Sequence, residues 1–107
     1  MWTTDEAVLG LMGTPPLLAE DLQYLALCVA AANRAVQVWR PDLEVPQPGD
    51  TPDPMVALGA GMMAVNWFQR RSSDVAAFAE FGGPPPAISR DIEHLLRINR
   101  AANPVIA

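Results

Sequence analysis

The sequence predicts an all-α fold, a small helical bundle, and three observations carry that prediction. Two long segments, one reaching Trp39 and one running from about Thr51 to Arg71, repeat apolar residues at spacings of three and four. Helix-start signals precede them and the shorter segments around them: Thr3 with Glu6, Thr14-Pro15, Thr51-Pro52 and Ser89. No stretch alternates apolar and polar residues, apart from a possible short strand at Leu43-Glu44-Val45. With 107 residues, half of them apolar, the chain suits a single domain with a modest core. We divide it into a helical domain over 1–98, with a Pro-rich loop at 41–54, and a tail at 99–107.

In chain order, Thr3 and Glu6 have the spacing of a capping box, and a short helix follows to about Leu11, ended by Gly13. Thr14-Pro15 reads as an N-cap followed by proline at the first helical position. The first long helix then places Leu22, Leu25, Val29, Ala32, Val36 and Trp39 on one face. Tyr24, Cys28, Ala31, Ala35 and Val38 form a second stripe beside it. Gln23, Asn33, Arg34 and Gln37 are left for solvent. So broad an apolar face meets more than one neighbour, either within one core or with one neighbour supplied by another subunit.

Residues 41–54 hold five prolines and four acids and predict a solvated, semi-stiff loop. The second long helix carries Met55, Leu58, Met62 and Val65 on one stripe and Ala57, Gly61, Ala64 and Phe68 on another. Gly59 and Gly61 each cost about 1 kcal/mol relative to Ala in a helix interior. Close packing against the Ala-rich first long helix is the expected compensation. Ser72 or Ser73 caps a short helix over Val75–Phe81, which Gly82-Gly83 ends. Pro84-Pro85-Pro86 predicts an extended spacer. Ser89 caps a last helix over Arg90–Ile98, with Ile88, Ile92, Leu95 and Leu96 as its apolar face. The apolar tail after it is either docked on the body or kept for a partner.

Charge and chemistry narrow the function. The net charge is −5, all seven basic residues are Arg, and residues 1–33 hold Asp5, Glu6, Glu20 and Asp21 with no Arg. A phosphate-gripping protein needs a clustered basic face, which this composition lacks. Cys28 is the single cysteine, so no internal disulfide forms, and it reads as a buried small hydrophobe. The N-terminus has no basic region of a signal peptide, and no apolar run is long enough to span a membrane. His94, near Asp91 and Glu93, lacks the further ligands a metal would need. The paired acids sit in first helical turns, where the helix dipole accounts for them. No catalytic, cofactor or metal residues are therefore assigned, and no enzyme is expected.

The segment Trp67-Phe68-Gln69-Arg70-Arg71-Ser72-Ser73 stands apart. Arg70 and Arg71 suit either the dipole at a helix end or bidentate pairing with acids on a neighbouring copy. Trp67 and Phe68 are adjacent, so one is expected in the core and the other as an interface anchor. With Phe78 and Phe81 these residues make up the candidate subunit interface: Trp67, Phe68, Arg70, Arg71, Phe78 and Phe81.

At this junction the chain resembles the head-to-tail connector proteins, or adaptors, of long-tailed bacteriophages, particularly those of actinobacterial hosts. The resemblance lies in order and spacing over most of the chain. It runs through Leu9-Gly10-Leu11, then Cys28-Val29-Ala30-Ala31-Ala32-Asn33 and Trp39-Arg40. A Pro-rich loop follows, then Phe68-Gln69-Arg70-Arg71-Ser72, Phe78, Gly82, Asp91-Ile92 and Leu95-Leu96. It departs from the family at Ser72-Ser73-Asp74-Val75, where members carry an Asn-Ser-Pro-like turn, and at Gly83-Pro84-Pro85-Pro86. The resemblance implies a virion protein, assembled in the host cytoplasm. It would form a ring of copies matching the portal's symmetry, extend the DNA channel and join portal to stopper or tail completion protein. DNA would pass without specific binding, since an acidic lumen avoids phosphate contacts. It also implies portal docking by the C-terminal end, through Ile92, Leu95, Leu96, Ile98, Arg100, Val105 and Ile106. The alternative reading is a small helical protein-interaction module of the regulatory or antitoxin kind.

Overall fold

A computed structural model describes residues 1–13, 18–47, 49–70, 73–82 and 85–98. The chain forms five helices: α1 (Asp5–Met12), α2 (Ala19–Trp39), α3 (Pro54–Arg70), α4 (Ser73–Phe81) and α5 (Arg90–Leu96). Among the described residues there is no strand, so the segment at Leu43-Glu44-Val45 is irregular loop. α2 and α3 pack along each other, α1 bridges them, α4 lies against α2 and α5 against α3.

The helix ends follow local chemistry, with shifts from the sequence reading. Thr4, not Thr3, caps α1; its hydroxyl accepts from the Ala7 N–H at 3.2 Å. Thr3 is instead buried, with its backbone bonded to Asn33. Gly13 ends α1 at φ 62, where its N–H reaches the Leu9 carbonyl. Thr14 and Pro15 lie outside the described residues; α2 begins at Ala19 with Leu18 at the N-cap and no side-chain cap bond. α3 starts at Pro54 rather than after Thr51-Pro52. Asp53 Oδ1 accepts from the N–H of Met55 at 2.9 Å and of Val56 at 3.4 Å, with proline at the first helical position. Ser89 caps α5 as expected, accepting from the Ile92 N–H. α5 stops at Leu96, two residues early. Arg97 takes the left-handed conformation at φ 57, its N–H bonds to the His94 carbonyl, and the Ile98 N–H reaches back to Glu93.

The core matches the α2 pattern closely. Leu25, Val29, Ala32, Val36 and Trp39 of the first stripe and Cys28, Ala31 and Ala35 of the second are buried, while Leu22 and Val38 stay exposed near the two ends. Asn33, placed in solvent by the sequence reading, is buried. Its carbonyl oxygen accepts from the N–H of Trp2 at 2.7 Å and of Thr3 at 3.1 Å, and its amide donates to the carbonyls of Thr3 and Val29, both at 3.0 Å. One side chain thus ties residues 2 and 3 to the middle of α2.

Of the two stripes predicted for α3, that of Gly61, Ala64 and Phe68 is buried with Ala57 half-buried, and that of Met55, Leu58, Met62 and Val65 turns outward. Val56, Ala60, Met63 and Trp67 are buried, whereas Met55 and Leu58 are exposed and Met62 and Val65 half-buried. The two helical glycines also have partners other than α2. A methyl group at Gly59 would lie 2.9 Å from Leu96 Cδ2 and 3.1 Å from Leu95 Cβ; at Gly61 it would meet Leu11 Cδ1 at 2.6 Å. The glycines are notches for α5 and α1.

Those notches differ in compliance. Leu96 is fully buried, so Gly59→Ala should displace α5 and lower unfolding free energy by about 1–2 kcal/mol despite the better helix propensity of alanine. Leu11 is 47% exposed and its side chain can swing away, so Gly61→Ala should be neutral or stabilising by up to about 1 kcal/mol. Asn33→Ala leaves buried backbone groups without partners and should cost about 2–4 kcal/mol. Urea unfolding of the three variants checks all of this.

Candidate functional site

The Trp67–Ser73 junction is where the sequence concentrates its aromatic and basic residues, and the structure makes it a meeting point of four elements. Trp67 is 1% exposed. Its ring meets Phe78 of α4 edge-on at 6.5 Å and 74°, and its indole N–H donates to the Ala87 carbonyl at 3.3 Å. The Tyr24 hydroxyl of α2 donates to the Trp67 carbonyl at 3.4 Å, and the Tyr24 ring tilts against Phe68 at 5.8 Å. The Arg34 guanidinium lies over the Phe78 ring, 5.5 Å from its centroid. A methyl group at Gly82, φ 82, would sit 3.0 Å from Arg34 Nη2, so glycine both ends α4 and leaves room for the guanidinium.

This geometry revises the candidate interface. Trp67, Phe68 and Phe78 are all buried within one chain, so neither member of the Trp67–Phe68 pair is an exposed anchor. Adjacent residues both reach the interior because α3 is flanked on more than one side: Trp67 faces α4 and Phe68 faces Tyr24 of α2. Arg70 is exposed at the end of α3, and Phe81 at the end of α4 is 84% exposed. Arg71 lies outside the described residues. The proposed docking set changes likewise. Ile92 and Leu96 are fully buried against the body and Leu95 and Ile98 are half-buried. Arg100, Val105 and Ile106 lie outside the described residues.

A second polar constellation joins the loop to α5. Arg40, just beyond α2, donates from Nε and Nη2 to the two Asp42 carboxylate oxygens at 2.9 and 2.8 Å and from Nη1 to the Leu96 carbonyl at 2.7 Å. The guanidinium satisfies a terminal carbonyl of α5 where the helix dipole favours a cation. The hydrogen bonds from Arg40 hold the Asp42 carboxyl below the usual carboxylate range, and those to Asp42 raise Arg40. Sequence reading missed this clamp; the cue was an Arg two residues before an acid across Pro41, at the end of a helix.

Two open clefts flank the N-terminal segment. One, of about 330 Å³, is lined by Trp2, Leu43, Val45, Pro46, Asp50 and Asp53 among others. The other, of about 370 Å³, lies beside Asn33, Arg34, Asp5 and Gln37. Among the described residues no group of three His, Cys, Asp or Glu is arranged to hold a metal, and His94 is exposed. No buried side-chain nitrogen or oxygen among them lacks a hydrogen-bond partner. No described helix is long and apolar enough to cross a membrane. No family model matches the chain, and comparison with curated proteins and with solved structures gives no match.

The clamp predicts an acid sensitivity. Asp42 has a depressed folded-state value, so its contribution is complete above the unfolded value near about pH 3.9 and is lost as pH falls through the folded one. The melting-temperature gap between the natural chain and Asp42→Asn should be constant above about pH 5 and close below that folded value. Arg40→Met should cost about 1–2 kcal/mol at neutral pH, because the Leu96 carbonyl loses its charged donor.

Proposed function

We propose that this chain is a structural connector: a helical subunit that assembles with copies of itself into a ring between a phage portal and the stopper or tail completion protein, and leaves a channel for DNA. The observation that carries its interaction half is the placement of large apolar side chains outside a filled core. Phe81 is 84% exposed and Leu18 is 75% exposed, on a body whose other large aromatics are buried or half-buried. An exposed aromatic at a helix end, with the exposed Arg70 as a further candidate contact, suits a protein–protein contact. The connector half rests on the resemblance in helix order and spacing, from Leu9-Gly10-Leu11 to Leu95-Leu96. The acidic exposed ends of α1 and α2, with Asp5, Glu6 and Glu20, suit a channel wall that does not hold phosphates.

A second reading, a small interaction module that binds one protein partner, draws on the same exposed Phe81 and differs in stoichiometry. Mixing the chain with a portal from a phage of an actinobacterial host and imaging by electron microscopy separates the two. Rings with one copy per portal subunit support the connector; a chain that stays monomeric and ignores the portal removes it. Phe81→Ser should leave helical content and melting temperature unchanged within about 0.5 kcal/mol, since the side chain is outside the core, and should weaken ring assembly. Deleting 99–107 should leave a folded helical domain while preventing the joining of heads to tails.

A further inference from the structure

We propose that α5 is a releasable latch, a unit that undocks from α3 while α1–α4 stay folded. The inference goes beyond the connector reading and stands without it. α5 is seven residues long, too short to be a stable helix alone, so its order depends on what it touches. Its main helical neighbour is α3. There Leu95 and Leu96 enter the notch at Gly59, where any side chain would collide with them.

At the edges of α5 the half-buried Ile88 and Ile98 pack against the core, and polar ties add to them. The segment leading into it contains Pro85 and Pro86, which have no N–H to donate, and is held through the Ala87 carbonyl by the Trp67 indole. At its far end the Arg40 guanidinium grips the Leu96 carbonyl, and a longer exposed contact of 3.7 Å joins Arg97 to Asp53. Opposing these ties, Arg97 occupies the left-handed region at φ 57, a conformation that glycine adopts freely and a residue with a Cβ resists. The strain sits on the residue that closes the helix, so it is relieved when α5 lets go.

Undocking leaves the rest of the bundle in place. The contacts of α2 with α3 and α4, the Trp67–Phe78 pair and the Asn33 bonds to residues 2 and 3 do not run through α5. The released segment presents Ile92, Leu95 and Leu96, and α3 bares its Gly59 notch. Local opening of this kind is read by amide hydrogen exchange.

The test is native-state exchange at neutral pH, followed residue by residue, on the full chain and two variants. In the natural chain the amides of residues 93–98 should exchange at least about tenfold faster than the slowest amides of α2 and α3, with little dependence on dilute urea. Arg97→Gly should slow them about fivefold by removing the left-handed strain, and Arg40→Met should speed them about tenfold; the slowest α2 amides, which exchange by global unfolding, should shift by similar factors, because every open state has lost the α5 contacts. The proposal is overturned if the α5 amides of the natural chain exchange at the same rate as the slowest α2 amides and with the same urea dependence, or if neither variant moves the α5 amides. Arg97→Gly is a stabilising change, so its result does not depend on a variant that fails to fold.

Discussion

Asn33 is the constraint on which the arrangement of this bundle depends. A primary amide has room for two accepted and two donated hydrogen bonds, and here all four are made, three of them to the backbone of residues 2 and 3. The bonds replace water for polar groups that would otherwise be buried without partners. They deliver Trp2 into the core and withdraw Thr3 from capping duty, so α1 starts one residue later, at the Thr4 cap. They also fix where α1 leaves the N-terminal segment, and so help to bring Leu11 over the Gly61 notch of α3.

α3 is the element shaped by its neighbours. Its two glycines, its alanines and its slender methionines let three helices approach it from different sides: α2 along its length, α1 at Gly61 and α5 at Gly59. The cost in helix propensity is offset by closer packing than side chains would allow. At its C-terminal end the geometry reverses, and bulk takes over from smallness. Trp67 and Phe68 fill space on two sides, toward Phe78 and Tyr24, and the Trp67 backbone and indole bond to α2 and to the segment before α5. The aromatic junction is thus an internal knot of one chain.

That result moves the search for partners outward. Of the described residues singled out for contact with other chains, the ones left on the surface are Arg70 and Phe81, together with the partly covered face of Leu95 and Ile98. The remaining exposed apolar groups, such as Leu18, Met55 and Leu58, were read from periodicity as core or left unassigned, and they now belong to the surface available for association. Arg40 serves a different purpose from the other cations, since it holds the loop through Asp42 and α5 through Leu96 at once.

The sequence by itself determined the all-α class, the number and order of the helices, the buried stripes of α2, the burial of Cys28 and the Ser89 cap. These follow from short-range rules, namely side-chain spacing on a helix, hydroxyl caps and proline or glycine at the ends, which operate within a few residues. Tertiary structure alone decided which of the two apolar stripes of α3 is inside, because a helix with Gly, Ala, Met or Val on nearly every side has no single apolar direction for periodicity to find. It likewise decided that Asn33 is interior, that Trp67 and Phe68 are both core, and that Arg40 reaches Leu96. Each of these rests on groups 20 to 56 residues apart in the chain, a separation at which only the packed fold brings partners together.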